Sequence, residues 1–203
     1  MKYVLRSNYV ENTHEEAIDA ARFNAIKRSR KVLAAASEIE GIFDNLISNY
    51  LEIETRCLEL CTRRLARQTI GYREHNETLA AVNLVFVNYL STGRAYVDKI
   101  GKVTSRCFQS PETEQINDEV RLWIAQQFDA AFGFRFMEAL RNHVQHSGTA
   151  LHTLSQGSRK VRVDDQSEVS CESFLEPMCN KIILAERGDF KAKVLDECPD
   201  TVN

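Results

Sequence analysis

The first proline of this 203-residue chain is Pro111, and only Gly41, Gly71, Gly93 and Gly101 precede it among the glycines. A first half so poor in helix breakers is free to form helices far longer than the three or so turns usual in globular proteins. The apolar residues have the matching period. Ile39, Phe43, Leu46, Tyr50, Ile53, Cys57 and Leu60 follow one another at steps of four and three, the spacing that keeps side chains on one helix face. The seam extends back through Val32 and Ala36. It predicts a helix starting near Asn12 or Thr13, with Glu15 and Glu16 in its first turn.

Gly71 and the polar stretch Tyr72 to Asn76 interrupt this pattern, with Asn76 as the expected N-cap of a second helix. Leu79, Val82, Phe86, Tyr89, Gly93, Tyr96, Ile100, Val103 and Cys107 form its seam. At ~1.5 Å per residue that helix runs roughly 40 Å. Two long seamed helices joined by a short loop most simply form an antiparallel hairpin. Ser110, Pro111 and Glu112 then read as an N-cap, a first-position proline and a first-turn acid. The third helical segment carries Ile116, Val120, Trp123, Ile124, Phe128, Phe132, Phe136, Leu140 and Val144, with Gly133 placed to kink or split it. Gly148 stands where a helix C-terminal glycine belongs.

Beyond Gly148 the texture changes. Val161 and Val163 alternate with charges over residues 159–165, which predicts a short strand paired with a segment near 168–175. A closing helix is expected from around Asp189. The expected fold is mainly α: an antiparallel bundle of long helices over residues 1–150. Residues 151–203 form a small C-terminal addition, a short hairpin and a helix packed on the bundle.

Composition excludes some functions. A formal net charge of −3 with 27% charged residues does not describe a chain that binds nucleic acid over its whole surface, so any such contact needs a local basic patch. Lys27-Arg28-Ser29-Arg30-Lys31 and Arg63-Arg64 with Arg67 are the candidates, although such runs are by default solvated helix faces. The six cysteines show no Cys-x-x-Cys spacing, and Cys57 and Cys61 have no nearby pair to complete a zinc set. Reduced thiols are expected. The apolar run at the start is short and interrupted by Arg6, and no run approaches the ~20 apolar residues of a membrane span. The expectation is a cytoplasmic protein without a membrane segment.

The densest chemistry lies in Arg141-Asn142-His143-Val144-Gln145-His146-Ser147-Gly148, at the end of the third helical segment. At about 100° per residue, Phe136, Met137, Leu140 and Val144 share one stripe while Asn142 points nearly opposite. Gln145 and His146 lie on the polar side, Arg141 on its flank, and His143 beside the stripe. This reading turns the polar face away from the bundle. Arg141 and His146 are about 140° apart on the helix. Histidine is able to serve as acid or base near neutrality, and arginine offers a fixed fork of donors to phosphate oxygens. Asn142 is placed to orient His146 or a substrate.

Arginine and asparagine followed by histidine five positions after the arginine, at the end of a core helix, resemble the signature of the HEPN superfamily, small helical bundles of which many are metal-independent ribonucleases. The resemblance rests on Arg141, Asn142 and His146 and on the helical context of residues 13–148. It implies a homodimer whose two motifs meet in one cleft, cleaving RNA without a cofactor. It also suggests a toxin or anti-phage defence role, with an antitoxin or regulatory protein as a further partner. One subgroup carries a tyrosine two positions after the histidine. Here that position is Gly148, so modification of that tyrosine is not available to this chain.

Other readings stay open at this stage. Arg141 and His146 also suit a solvated C-terminal turn, where cations complement the helix dipole. His143 is expected to act through packing or a supporting hydrogen bond. Gln145 and His152 are possible supporting groups, with His152 by default a loop histidine. A metal site from His143, His146 and His152 lacks a spaced cysteine or acid partner. The competing functional class is a non-catalytic helical dimer that binds protein or RNA, its seams being intermolecular. A metal-independent nucleotide phosphodiesterase is the third.

Overall fold

Asp19 opens the first long helix. Its carboxylate accepts the backbone N–H of Arg22 at 2.6 Å, the N-cap bond that satisfies one of the exposed donors of a helix start. The structure, a computed structural model, describes residues 2–7, 14–67, 71–109, 111–146, 148–162, 169–186, 188 and 190–202. Two short strands come first, β1 (Tyr3–Arg6) and β2 (Glu15–Ile18), followed by α1 (Ala20–Arg67) and α2 (Tyr72–Ser105). Then come α3 (Glu112–Ala130) and α4 (Phe132–His146). The order closes with β3 (Thr153–Arg162), β4 (Val169–Asn180), α5 (Lys181–Glu186), α6 (Ala192–Glu197) and β5 (Thr201–Val202). The chain is mainly α, with a small C-terminal sheet.

Three expected helix boundaries are corrected. Glu15 and Glu16 belong to β2, which pairs antiparallel with β1, and Arg6 meets Glu15 at 3.3 Å. The expected start at Asn12 or Thr13 lies outside the described residues, but the observed helix begins at Ala20. Asn76 is not an N-cap, because α2 has already begun at Tyr72. Glu74 reaches back to the Gly71 N–H at 3.4 Å and Arg73 pairs with Glu77 at 2.8 Å. A glutamate bonded back to the cap residue and an i,i+4 ion pair are both helix-starting devices. The third segment is divided at Ala131, two residues ahead of Gly133. Ser110, Ser147, Asp189 and residues 163–165 fall outside the described residues.

The chain forms two compact units, residues 1–41 with 98–122, and residues 42–97 with 123–203. The expected boundary at residue 150 runs through the second unit. In the first unit, Tyr3 stacks on Phe23 at 4.2 Å and Arg106 pairs with Glu38 at 2.6 Å. Its buried residues include Ala35, Ile100 and Val103.

The second unit holds the large core. Phe43 meets Tyr96, Gly93 lies against Leu46, and Tyr50 meets Tyr89. Partners that advance along α1 recede along α2, so these parts of the helices run antiparallel. Phe43, Leu46 and Tyr50 of the first seam thus meet α2, while Phe43 and Tyr50 also stay exposed. Val82, Leu90, Phe136, Leu140, Leu154, Leu175, Leu184 and Val194 are buried together in one cluster. Burial also pushes the Cys57 thiol up to about 11, with help from Glu54 and Cys61, and the Cys179 thiol up to about 12, with help from Cys198.

β3 and β4 form the expected hairpin, longer than the valines indicate, with Gly157 opposite Phe174. A Cβ at residue 157 would lie 2.8 Å from the end of the Phe174 ring, so only glycine lets the ring lie across the partner strand. Pro177 is tolerated in β4 because β5 pairs only with Cys179 and Asn180, and a proline lacks a donor that an unpaired edge does not need.

Candidate functional site

The motif helix α4 buries Phe136, Ala139, Leu140 and His143. His143 is 1% exposed and its ring meets Phe190 edge-on at 6.0 Å. It therefore lies inside the buried face, not beside it. The buried face is centred on residues 139, 140 and 143, whereas Met137 and Val144 sit at its margins. Small Ala139 allows close approach on that side, and the packed C-terminal segment supplies the cover.

Arg135 secures the start of this helix. Its guanidinium donates to the Phe128 carbonyl at 3.2 Å, to the Asp129 carbonyl, and to Glu197 of α6. A cation on the last carbonyls of α3 also complements that helix's negative end.

Arg141 and Asn142 are brought together: Nη1 of Arg141 donates to Oδ1 of Asn142 at 3.1 Å. Both residues are half-buried. The expectation that the whole polar face turns away from the bundle is corrected here. Arg141 lines a cavity of about 440 Å³ formed by α1, α2, α3 and α4, together with Trp123 and Gln127 of α3 and Tyr89 and Arg94 of α2. The packing of α3 alongside α4 encloses the arginine's arm, and its Nε is buried without a hydrogen-bond partner among the described residues. Across the same cavity, Arg94 Nη1 donates to Glu138 Oε1 at 2.6 Å.

His146 and Gln145 are exposed at the end of α4. Among the described residues, His146 forms no hydrogen bond with Arg141 or Asn142, so one chain does not close a three-residue constellation. His152 is removed from the motif in role. Its Nδ1 accepts the Asn180 N–H at 3.0 Å while its own N–H bonds to the Met178 carbonyl at 3.0 Å, fixing the end of the hairpin.

The metal reading finds no set. Among the described residues no group of three or more His, Cys, Asp or Glu side chains is arranged to hold an ion. No described helix is long and apolar enough to cross a membrane. Of the basic runs, Lys27, Arg28, Arg30 and Lys31 are exposed, and Arg63 is held by Glu59 at 2.6 Å. Sequence reasoning did not find Arg94, Trp123 or Glu138 as neighbours of Arg141. They come from three helices, α2, α3 and α4, and of the three only Trp123 stood in a seam read from the sequence, as an apolar position. Comparison with protein-family models, curated proteins and solved structures gives no match.

Proposed function

We propose that this protein is an endoribonuclease of HEPN type that cleaves RNA at a site composed by two copies of the chain. The observation that carries the reading is the division of labour within α4. His143 is sealed in the core, whereas His146 is exposed and Arg141 is held by Asn142. Arg141, Asn142 and His146 are the residues the resemblance selects. Asn142 is better placed to orient the guanidinium than the histidine.

In this chemistry one His146 takes the proton of a ribose 2′-hydroxyl, whose oxygen attacks the adjacent phosphorus. The 5′-oxygen leaves with a proton from the partner copy's histidine, giving a 2′,3′-cyclic phosphate and a 5′-hydroxyl end. Arg141 donates to the phosphate oxygens that gain charge. Two copies supply what one lacks, since a single chain offers only one exposed histidine beside the arginine. Leu51, Leu58 and Leu65 of α1, spaced by sevens and each more than half exposed, support a dimer and also the non-catalytic binding module.

The test is RNA cleavage in excess EDTA. His146→Ala is expected to lower the rate by about 10² to 10⁴, the usual weight of one acid–base group, with an unchanged melt. Arg141→Ala is expected to be comparably damaging and Arg141→Lys to rescue poorly, because lysine lacks the fork. Full activity in His146→Ala would leave the binding module as the reading.

A further inference from the structure

Arg141 belongs to two features at once, the motif and the wall of the 440 Å³ cavity. That cavity has the size and mainly apolar character of a small-molecule site. Its rings come from different helices: Tyr89 and Tyr96 from α2, Trp123 from α3 and Phe134 from α4. Trp123 is 55% exposed, so part of its ring is open to a stacking partner. Aromatic faces stack with any base of an unpaired strand.

We propose that this cavity is a base-binding subsite, taking one unstacked nucleobase of single-stranded RNA with Glu138 as its hydrogen-bond acceptor. The inference rests on the ribonuclease reading through Arg141, which would meet the phosphate of the nucleotide whose base is seated. Arg94 neutralises Glu138 at 2.6 Å and fixes it in place, leaving a carboxylate with further acceptor capacity. Guanine offers two adjacent N–H donors to such a group. Uracil offers one, flanked by carbonyl oxygens that a carboxylate repels. The subsite therefore favours guanine.

Trp123 is the only tryptophan of the chain, so its fluorescence reports the cavity directly. The probes are the 2′-O-methyl tetranucleotides UGUU and UUUU, which bind without being cleavable through the 2′-oxygen. UGUU is expected to quench Trp123 and to bind about tenfold more tightly than UUUU, the scale of one good bidentate contact. Glu138→Gln should bring the two oligonucleotides within about twofold of each other, since the loss of one such contact removes the discrimination. Gly133→Met is the blocking variant. Gly133 lines the cavity, and a Cβ there meets no atom within 4 Å, so the backbone admits a side chain at this point of the wall; the methionine should abolish quenching, with the melt measured alongside.

Equal binding of the two oligonucleotides, or undiminished quenching in Gly133→Met, would overturn the proposal. So would a Trp123 shift driven by protein concentration alone, which would mark the cavity as the seat of a second copy. Cleavage by the wild type without quenching removes the subsite and leaves the nuclease. Quenching without cleavage leaves the subsite and removes the nuclease.

Discussion

Helices α3 and α4 carry apolar residues at the same three-four spacing, yet they meet opposite fates. α3 has no fully buried residue, and Leu122 and Trp123 are 61% and 55% exposed. α4 has Leu140 at 0% and Phe136 at 4%. The spacing alone does not distinguish them. What differs is the supply of partners: α4 shares the common cluster with the hairpin strands, α5 and α6, while no described residue of α3 belongs to it. Periodicity states which face a helix offers, and tertiary contacts decide whether the offer is taken up.

The comparison is broken most directly by Leu140→Ala. A fully enclosed leucine should cost about 2–5 kcal/mol, transfer and cavity together, measured by urea unfolding. A cost under about 1 kcal/mol would mean that α4 is not the core helix it is taken for. His143→Ala comes next, at about 1–3 kcal/mol for a buried polar ring with its contacts removed. Its cleavage rate should stay within about threefold of wild type once the melt is allowed for, unlike that of a group that transfers a proton. Gly133→Ala tests α4 in the opposite direction. Its Cβ would meet nothing within 4 Å, so a gain of about 0.5–1 kcal/mol is expected from the better helix former. Leu122→Ala on α3 should change stability by less than about 0.5 kcal/mol. A loss matching that of Leu140→Ala would show that the two helices are equally covered.

The long helices were legible because glycine and proline are sparse and the apolar period runs unbroken for many turns. Their starting points were not. Asp19 was passed over for Asn12 and Thr13, and the Gly71–Glu74 bond was hidden within a stretch read as a loop. β1 showed only as the short apolar run ending at Arg6, and β2 (Glu15–Ile18) opens on two glutamates that read as a helix first turn. β3 reads as polar apart from Leu154 and Val161, so only part of it was foreseen.

The motif's faces were legible to within one position. A stripe drawn through Met137 and Val144 gives no weight to Ala139, and places His143 at the edge instead of inside. Small residues carry little hydrophobic signal but allow close approach, and Ala139 lies within the buried face of α4. The cavity was not legible at all, because its walls are separated in sequence by whole helices.

The cover of α4 has a consequence in time. Phe190, Val194 and Cys198, which complete the cluster over its buried face, are synthesised long after His146. While the ribosome is still adding them, the helix bearing Arg141 and His146 has its inner surface open and no stable seat, since such units fold as wholes. The motif therefore matures late, when most of the chain has already emerged.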